Sequence, residues 1–88
     1  MDNAKKIISQ EIIKIIKDIS GSEIEDNKLL SEEYLDSGLI NSLQVVEMIV
    51  KIESVFEIKF SPDDLQSAKF RTPGGIIELV GALKNKKN

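Results

Sequence analysis

The sequence predicts an all-α protein, a small four-helix bundle of three main helices and one short one. Apolar residues recur at helical spacing in three separate stretches. A serine or threonine followed at once by proline, good chemistry for a helix start, occurs at Ser61-Pro62 and again at Thr72-Pro73. Strict alternation is confined to Phe56-Glu57-Ile58-Lys59-Phe60, which lies between two better-supported helices and is too short to argue for a sheet.

The elements follow in order. Residues 4–19 put Ile8, Ile12, Ile15, Ile16 and Ile19 on one helical face among lysines and acids, and Gly21 after Ser20 ends that helix. From Ser20 to Asn41 the periodicity lapses into a polar, acidic segment with isolated apolar residues Ile24, Leu29, Leu30, Tyr34, Leu35, Leu39 and Ile40. Such a length is unusual for a connection in a compact domain, so the segment is expected to be functional and pinned by those side chains. A second helix should run from Ser42 to Phe56 or Glu57, with Asn41 or Ser42 as its cap. Ser61-Pro62-Asp63-Asp64 reads as a short third helix reaching about Ser67. Thr72-Pro73 opens the last helix, whose apolar face is Ile76, Ile77, Leu79, Val80 and Leu83, before Lys84-Asn85-Lys86-Lys87-Asn88 is expected to fray. There is no internal repeat, and at 88 residues one domain over 1–88 is expected.

Composition narrows the function. The chain has no cysteine and no histidine. It therefore offers no disulfide framework and no thiolate metal site, and it lacks the side chains that most often act as nucleophile or base near neutral pH. No enzymatic activity, catalytic residue or metal site is expected. Net charge is −3, unevenly spread: four bases against three acids in 1–20, three against eleven in 21–64, five against one in 65–88. An acidic middle argues against nucleic acid, whose phosphates need clustered lysine and arginine, and for basic protein partners. Apolar runs are too short to span a membrane, and Met1-Asp2-Asn3 lacks the basic start of a secretory signal. A cytoplasmic monomer without membrane insertion is the expectation.

The second helix has more apolar surface than one core contact uses. At about 100° per residue, Val45, Met48, Ile49, Ile52, Val55 and Phe56 form a broad core stripe. Leu43, Val46 and Val50 fall on the opposite side with Glu47, Ser54 and Glu57. Either the long 20–41 segment folds over them, or they form a docking face, since exposed apolar surface rimmed by charge marks transient partner sites. Two serines stand just ahead, in DSGLINSL. Asp36-Ser37-Gly38 is good turn chemistry. Ser42 is either a helix cap or something more. Neither lies in a G-x-S-x-G elbow, and no histidine exists to activate one, so any chemistry here is attachment performed by another enzyme.

Gly38-Leu39-Ile40-Asn41-Ser42-Leu43-Gln44-Val45-Val46-Glu47, followed by the helix through Phe56-Glu57-Ile58, closely resembles the modification site and second helix of acyl carrier proteins and peptidyl carrier domains. Ser61-Pro62-Asp63-Asp64 falls at the family's short third helix, and Phe70-Arg71-Thr72-Pro73 resembles the lead into its fourth, so the likeness covers Ile8 to Leu83. It implies a bundle of the acyl-carrier type with a 4′-phosphopantetheine arm on Ser42. The arm would bring the thiol that this chain lacks, to hold acyl or aminoacyl groups as thioesters. It further implies that Leu43, Val46, Glu47 and Val50 meet partners: a phosphopantetheinyl transferase, a loading ligase and downstream biosynthetic enzymes. Two departures stand out. Asn41 replaces the family's usual aspartate, and Lys51 and Lys59 make the helix region less acidic than in fatty-acid carriers. A free-standing carrier in a specialised pathway follows from the resemblance; the alternative is a carrier-like interaction module with Ser42 unmodified.

Overall fold

The structure, a computed structural model, describes residues 3–86. It is all-α: α1 spans Asn3–Ser20, α2 Asp26–Leu30, α3 Ser42–Phe56, α4 Pro62–Gln66 and α5 Pro73–Lys86, with a 3-10 turn at Ala68–Arg71 between the last two. Helices α1, α3 and α5 are the three main helices of the sequence reading, and α4 is its short one. Ser61 caps α4 in a reciprocal box with Asp64, and Thr72 Oγ1 accepts from the Gly75 N–H at the start of α5.

Two elements differ from expectation. The segment read as connection contains α2, five residues with no side-chain cap, too short to show a period. Tertiary contact holds it: Leu29 is fully buried, and Asp26 pairs with Lys17 in the last turn of α1 at 2.6 Å. The expected fraying from Lys84 does not occur within the described residues, because Lys84 Nζ donates to the Phe56 carbonyl oxygen at 3.2 Å and ties the last helix to the C-terminus of α3. Lys87 and Asn88 lie outside the described residues.

Helix α1 packs against α5, α3 and α2, and α5 closes on α2 and the 3-10 turn. The shared core joins Ile8, Ile12, Ile15 and Ile16 to Met48, Ile52 and Phe56 and to Ile76, Ile77 and Val80. Of the predicted anchors between α1 and α3, Leu29, Tyr34 and Ile40 are buried, Ile24, Leu30 and Leu39 pack partly against the core, and Leu35 is exposed. The Tyr34 hydroxyl donates to the Phe70 carbonyl oxygen, and its ring meets that of Phe70 edge-on with centroids 6.3 Å apart. Phe60 meets Phe70 in the same manner at 5.6 Å. Burial pushes the Tyr34 phenol above its ordinary pKa, so it remains a protonated donor at neutral pH.

The alternating stretch after α3 is a cap. Glu57 takes a left-handed conformation, φ 55°, and the Ile58 N–H turns back to the Glu53 carbonyl oxygen at 3.2 Å. Glu53 Oε2 then accepts from the Phe60 N–H at 2.9 Å, seating Ile58 and Phe60 inward.

At the start of α5 the chain passes so close to its neighbours that only glycine fits. A Cβ on Gly75 would lie 1.9 Å from the Lys69 carbonyl oxygen, a backbone atom that cannot swing away, whereas one on Gly81 would meet nothing within 4 Å. Gly75→Ala is therefore expected to lose about 1–3 kcal/mol of unfolding free energy through overpacking. Gly81→Ala is expected to gain about 0.5–1 kcal/mol from better helix propensity. Urea unfolding followed by circular dichroism measures both, and equal stability of the two variants would contradict the packing described.

Candidate functional site

The eleven residues from Ser31 to Asn41 deliver the chain to α3 through turns. The Ser37 N–H bonds the Glu33 carbonyl oxygen at 2.8 Å, Gly38 takes φ 83°, and Ser37 Oγ accepts from the Leu39 N–H at 3.4 Å. Ser37 is thus a turn residue whose hydroxyl closes its own loop. Ile40 then enters the core, its N–H on the Tyr34 carbonyl oxygen at 3.1 Å, and fixes the chain one residue before the helix cap.

Asn41, not Ser42, is that cap. Asn41 Oδ1 accepts from the Gln44 N–H at 2.8 Å, and Gln44 Oε1 accepts from the Asn41 N–H at 2.9 Å, a reciprocal capping box. Ser42 is the first residue of α3 and is exposed, and among the described residues nothing hydrogen-bonds its hydroxyl. The oxygen stands at the N-terminus of a fifteen-residue helix, where the backbone dipole favours negative charge. A phosphate ester on Ser42 would be stabilised there by about 0.3–1 kcal/mol. The arrangement suits an attachment point: a hydroxyl with no structural duty, on a rigid element, facing solvent.

The outer side of α3 is open. Leu43 is 76% exposed, Val46 56% and Val50 61%, so the preceding segment does not fold over them. Its own apolar anchors are spent on the main core instead. Val55, expected in the core stripe, is 48% exposed. It sits at the edge of that stripe, about 60° from the centre marked by Met48, Ile52 and Phe56. With Ile19 from the end of α1, these residues line an open groove of about 580 Å³ that also includes Glu47, Lys51 and Ser54. On another side, Val45 borders a cleft of about 430 Å³ with Tyr34, Leu35, Leu65 and Phe70, rimmed by Glu33, Asp36 and Arg71.

Of the residues singled out in the sequence, Leu43, Val46, Glu47 and Val50 line one groove, and Ser42 stands exposed at the first position of the same helix. Sequence reasoning missed Gln44, although the N-x-x-Q spacing of a capping box was there to read. It also missed Ile19 and Val55 as groove residues, because Ile19 lies in line with the α1 core face but at the very end of that helix, and Val55 lies at the margin of the α3 face.

A bundle of three main helices that presents a bare serine hydroxyl at a capped helix start, beside an apolar groove carrying Glu47 and Lys51, has the build of a carrier domain. The family model for the phosphopantetheine attachment site matches residues 10–80, and the chain belongs to that family. The family carries 4′-phosphopantetheine covalently on a serine, and its members carry groups rather than catalyse reactions. The chain is similar to the D-alanyl carrier protein of Streptococcus sanguinis (strain SK36), 30% identical over 78 residues covering 89% of this chain and 96% of the relative. The D-alanyl carrier proteins of Leuconostoc citreum (strain KM20) and Lactobacillus helveticus (strain DPC 4571) are each 28% identical over 76 residues, covering 86% of this chain and 95% and 94% of the relatives. Among the described residues no helix is long and apolar enough to cross a membrane, and no cluster of three or more metal-ligating side chains occurs.

An exposed stripe contributes little to stability. Val46→Ser and Val50→Ser are expected to unfold within about 1 kcal/mol of wild type. Ile52→Ala, from the opposite side of the same helix, should lose about 2–5 kcal/mol. Thermal denaturation of the three variants checks this, and a loss at Val46 or Val50 matching that at Ile52 would mean the stripe is covered.

Proposed function

We propose that this chain is an aminoacyl carrier of the D-alanyl kind, with 4′-phosphopantetheine attached to Ser42. The observation that carries the assignment is the division of labour at the start of α3: Asn41 and Gln44 cap the helix, so the Ser42 hydroxyl is exposed with nothing to hold, while the Ser37 hydroxyl is engaged in its own turn. When bound, the group supplies the thiol that a cysteine-free chain lacks, on which an acyl group is carried as a thioester. The chain's part is to hold the attachment oxygen at a fixed point on a rigid helix and to offer a surface to each enzyme in turn.

That surface is the outer side of α3. Leu43, Val46 and Val50 supply apolar contact, and Glu47 beside them supplies charge for basic partners. The partners in this reading are a phosphopantetheinyl transferase, a ligase that loads the aminoacyl group and the enzymes that take it away. A small apolar patch with a charged rim gives fast encounter and weak binding, as a carrier visiting several enzymes requires.

A short, polar cargo fits better than a long acyl chain. The cleft beside Val45 is open and rimmed by Glu33, Asp36 and Arg71, and its wall includes Tyr34 and Phe70, whose rings meet edge-to-face, with Phe60 against Phe70 in the same manner. The D-alanyl relatives agree with this reading.

Co-expression with a broad-specificity phosphopantetheinyl transferase and intact-mass measurement test the attachment. Wild type and Ser37→Ala are expected to gain the phosphopantetheine mass, and Ser42→Ala is not. No gain on wild type with several transferases would leave the unmodified interaction module as the better reading, and a gain that survives in Ser42→Ala but not in Ser37→Ala would move the site.

The neutral cap yields a separate expectation. Aspartate caps as well as asparagine and restores the charge that the family usually carries beside its serine. Asn41→Asp should therefore leave stability equal or higher by about 0.3–1 kcal/mol and speed modification of Ser42. An unchanged initial rate in a transferase assay would show that charge at this position does not matter.

A further inference from the structure

Gln44 is the third residue of α3, and both ends of its side-chain amide are in use. Oε1 accepts from the Asn41 N–H at 2.9 Å, and Nε2 donates to the Ile19 carbonyl oxygen at 3.1 Å. The pair fixes which way the amide faces. Turned over, it would set its NH₂ against the Asn41 N–H and its oxygen against the Ile19 carbonyl, two repulsions in place of two bonds.

Both partners are groups that helix geometry leaves unpaired. Ile19 is the penultimate residue of α1, so its carbonyl is among the last four that no amide of that helix can reach. The Asn41 N–H lies just before α3 and has no backbone acceptor within it. One neutral side chain therefore closes the end of one helix and the beginning of another twenty-five residues apart in sequence. It also joins the negative end of the α1 dipole to the positive end of the α3 dipole. Few side chains could do this: glutamate accepts but does not donate at neutral pH, lysine donates but does not accept, and methionine, of similar length, does neither.

We propose that Gln44 is a positioning residue for Ser42. Its amide clamps the first turn of α3 to the end of α1, and so sets where the Ser42 oxygen stands relative to the docking face of Leu43, Val46 and Val50. The proposal rests on Ser42 being the attachment point. It predicts a particular failure. A chain without the clamp keeps its docking face and meets the transferase normally, but its hydroxyl is out of line for transfer, and small misplacements of a reacting atom are costly in rate.

Two variants and two measurements test it. Gln44→Glu keeps the acceptor for Asn41 and loses the donor to Ile19, while Gln44→Met loses both. In steady-state transferase assays at varied carrier concentration, each variant is expected to show kcat lowered about tenfold with the carrier KM within about twofold of wild type. Circular dichroism confirms that the fraction folded is unchanged. The second measurement does not depend on modification. By amide hydrogen exchange, the Asn41 N–H should exchange at least about tenfold faster in Gln44→Met and stay protected in Gln44→Glu, with the buried Ile52 amide unaltered in both.

A kcat equal to wild type in both folded variants, or a change in KM alone, overturns the positioning role and leaves the carrier reading standing. Equal protection of the Asn41 N–H in all three proteins overturns the clamp itself. A wild type that takes up no phosphopantetheine from any transferase overturns the carrier reading, and with it the role toward Ser42.

Discussion

The capping box at the start of α3 is the constraint on which the rest of the site depends. A helix start leaves backbone N–H groups unpaired, and a serine in that position is ordinarily drawn into satisfying them. Here Asn41 accepts from the Gln44 N–H and Gln44 accepts in return from that of Asn41, which leaves the next hydroxyl, on Ser42, uncommitted. Ile40 pins the chain from below by entering the core. The outcome is a nucleophile-sized group held at a defined point with no structural bond to break before it can react.

The second consequence follows from how few neighbours α3 has. It packs on α1 along one side, burying Met48, Ile52 and Phe56, and on the other side Leu43, Val46 and Val50 stay exposed. In a chain this small the segment between α1 and α3 could have covered it. That segment is instead committed to the main core through Leu29, Tyr34 and Ile40, and Tyr34 is locked to Phe70 by its hydroxyl and its ring. Burial of those anchors and exposure of Leu43, Val46 and Val50 are two sides of one packing arrangement. A stable fold and an open apolar face are obtained together.

Much of the fold was legible because the long helices carry clear three-and-four spacing and the starts of α3, α4 and α5 carry cap chemistry. Asn41, Ser61 and Thr72 each accept a backbone N–H near a helix start, as their residue types suggest. The five residues of α2 were not legible: they contain too few apolar positions to show a period, and they hold their shape by burying Leu29 and pairing Asp26 with a distant lysine. The last helix likewise outran its expected end because Lys84 found the Phe56 carbonyl, a partner that no local pattern names. Val55 falls on the predicted core face and yet is exposed, because periodicity assigns a broad face without saying how much of its margin a neighbour covers, whereas Ile19 packs against the core as its spacing implies.

The sequence by itself determined that the chain is helical, that its acidic middle segment leads into a helix with surplus apolar surface, and that any chemistry at a serine, in a chain without histidine or cysteine, is attachment by another enzyme. These follow from residue type and spacing, which act over one or two helical turns. The cap of α3, which leaves Ser42 free, is a local matter of Asn41 and Gln44 at capping-box spacing. Tertiary structure decided that the surplus surface stays open. It also joined Gln44 to the Ile19 carbonyl. Those outcomes depend on where one helix ends relative to the start of another, a relation between residues far apart in the chain that only a packed core sets.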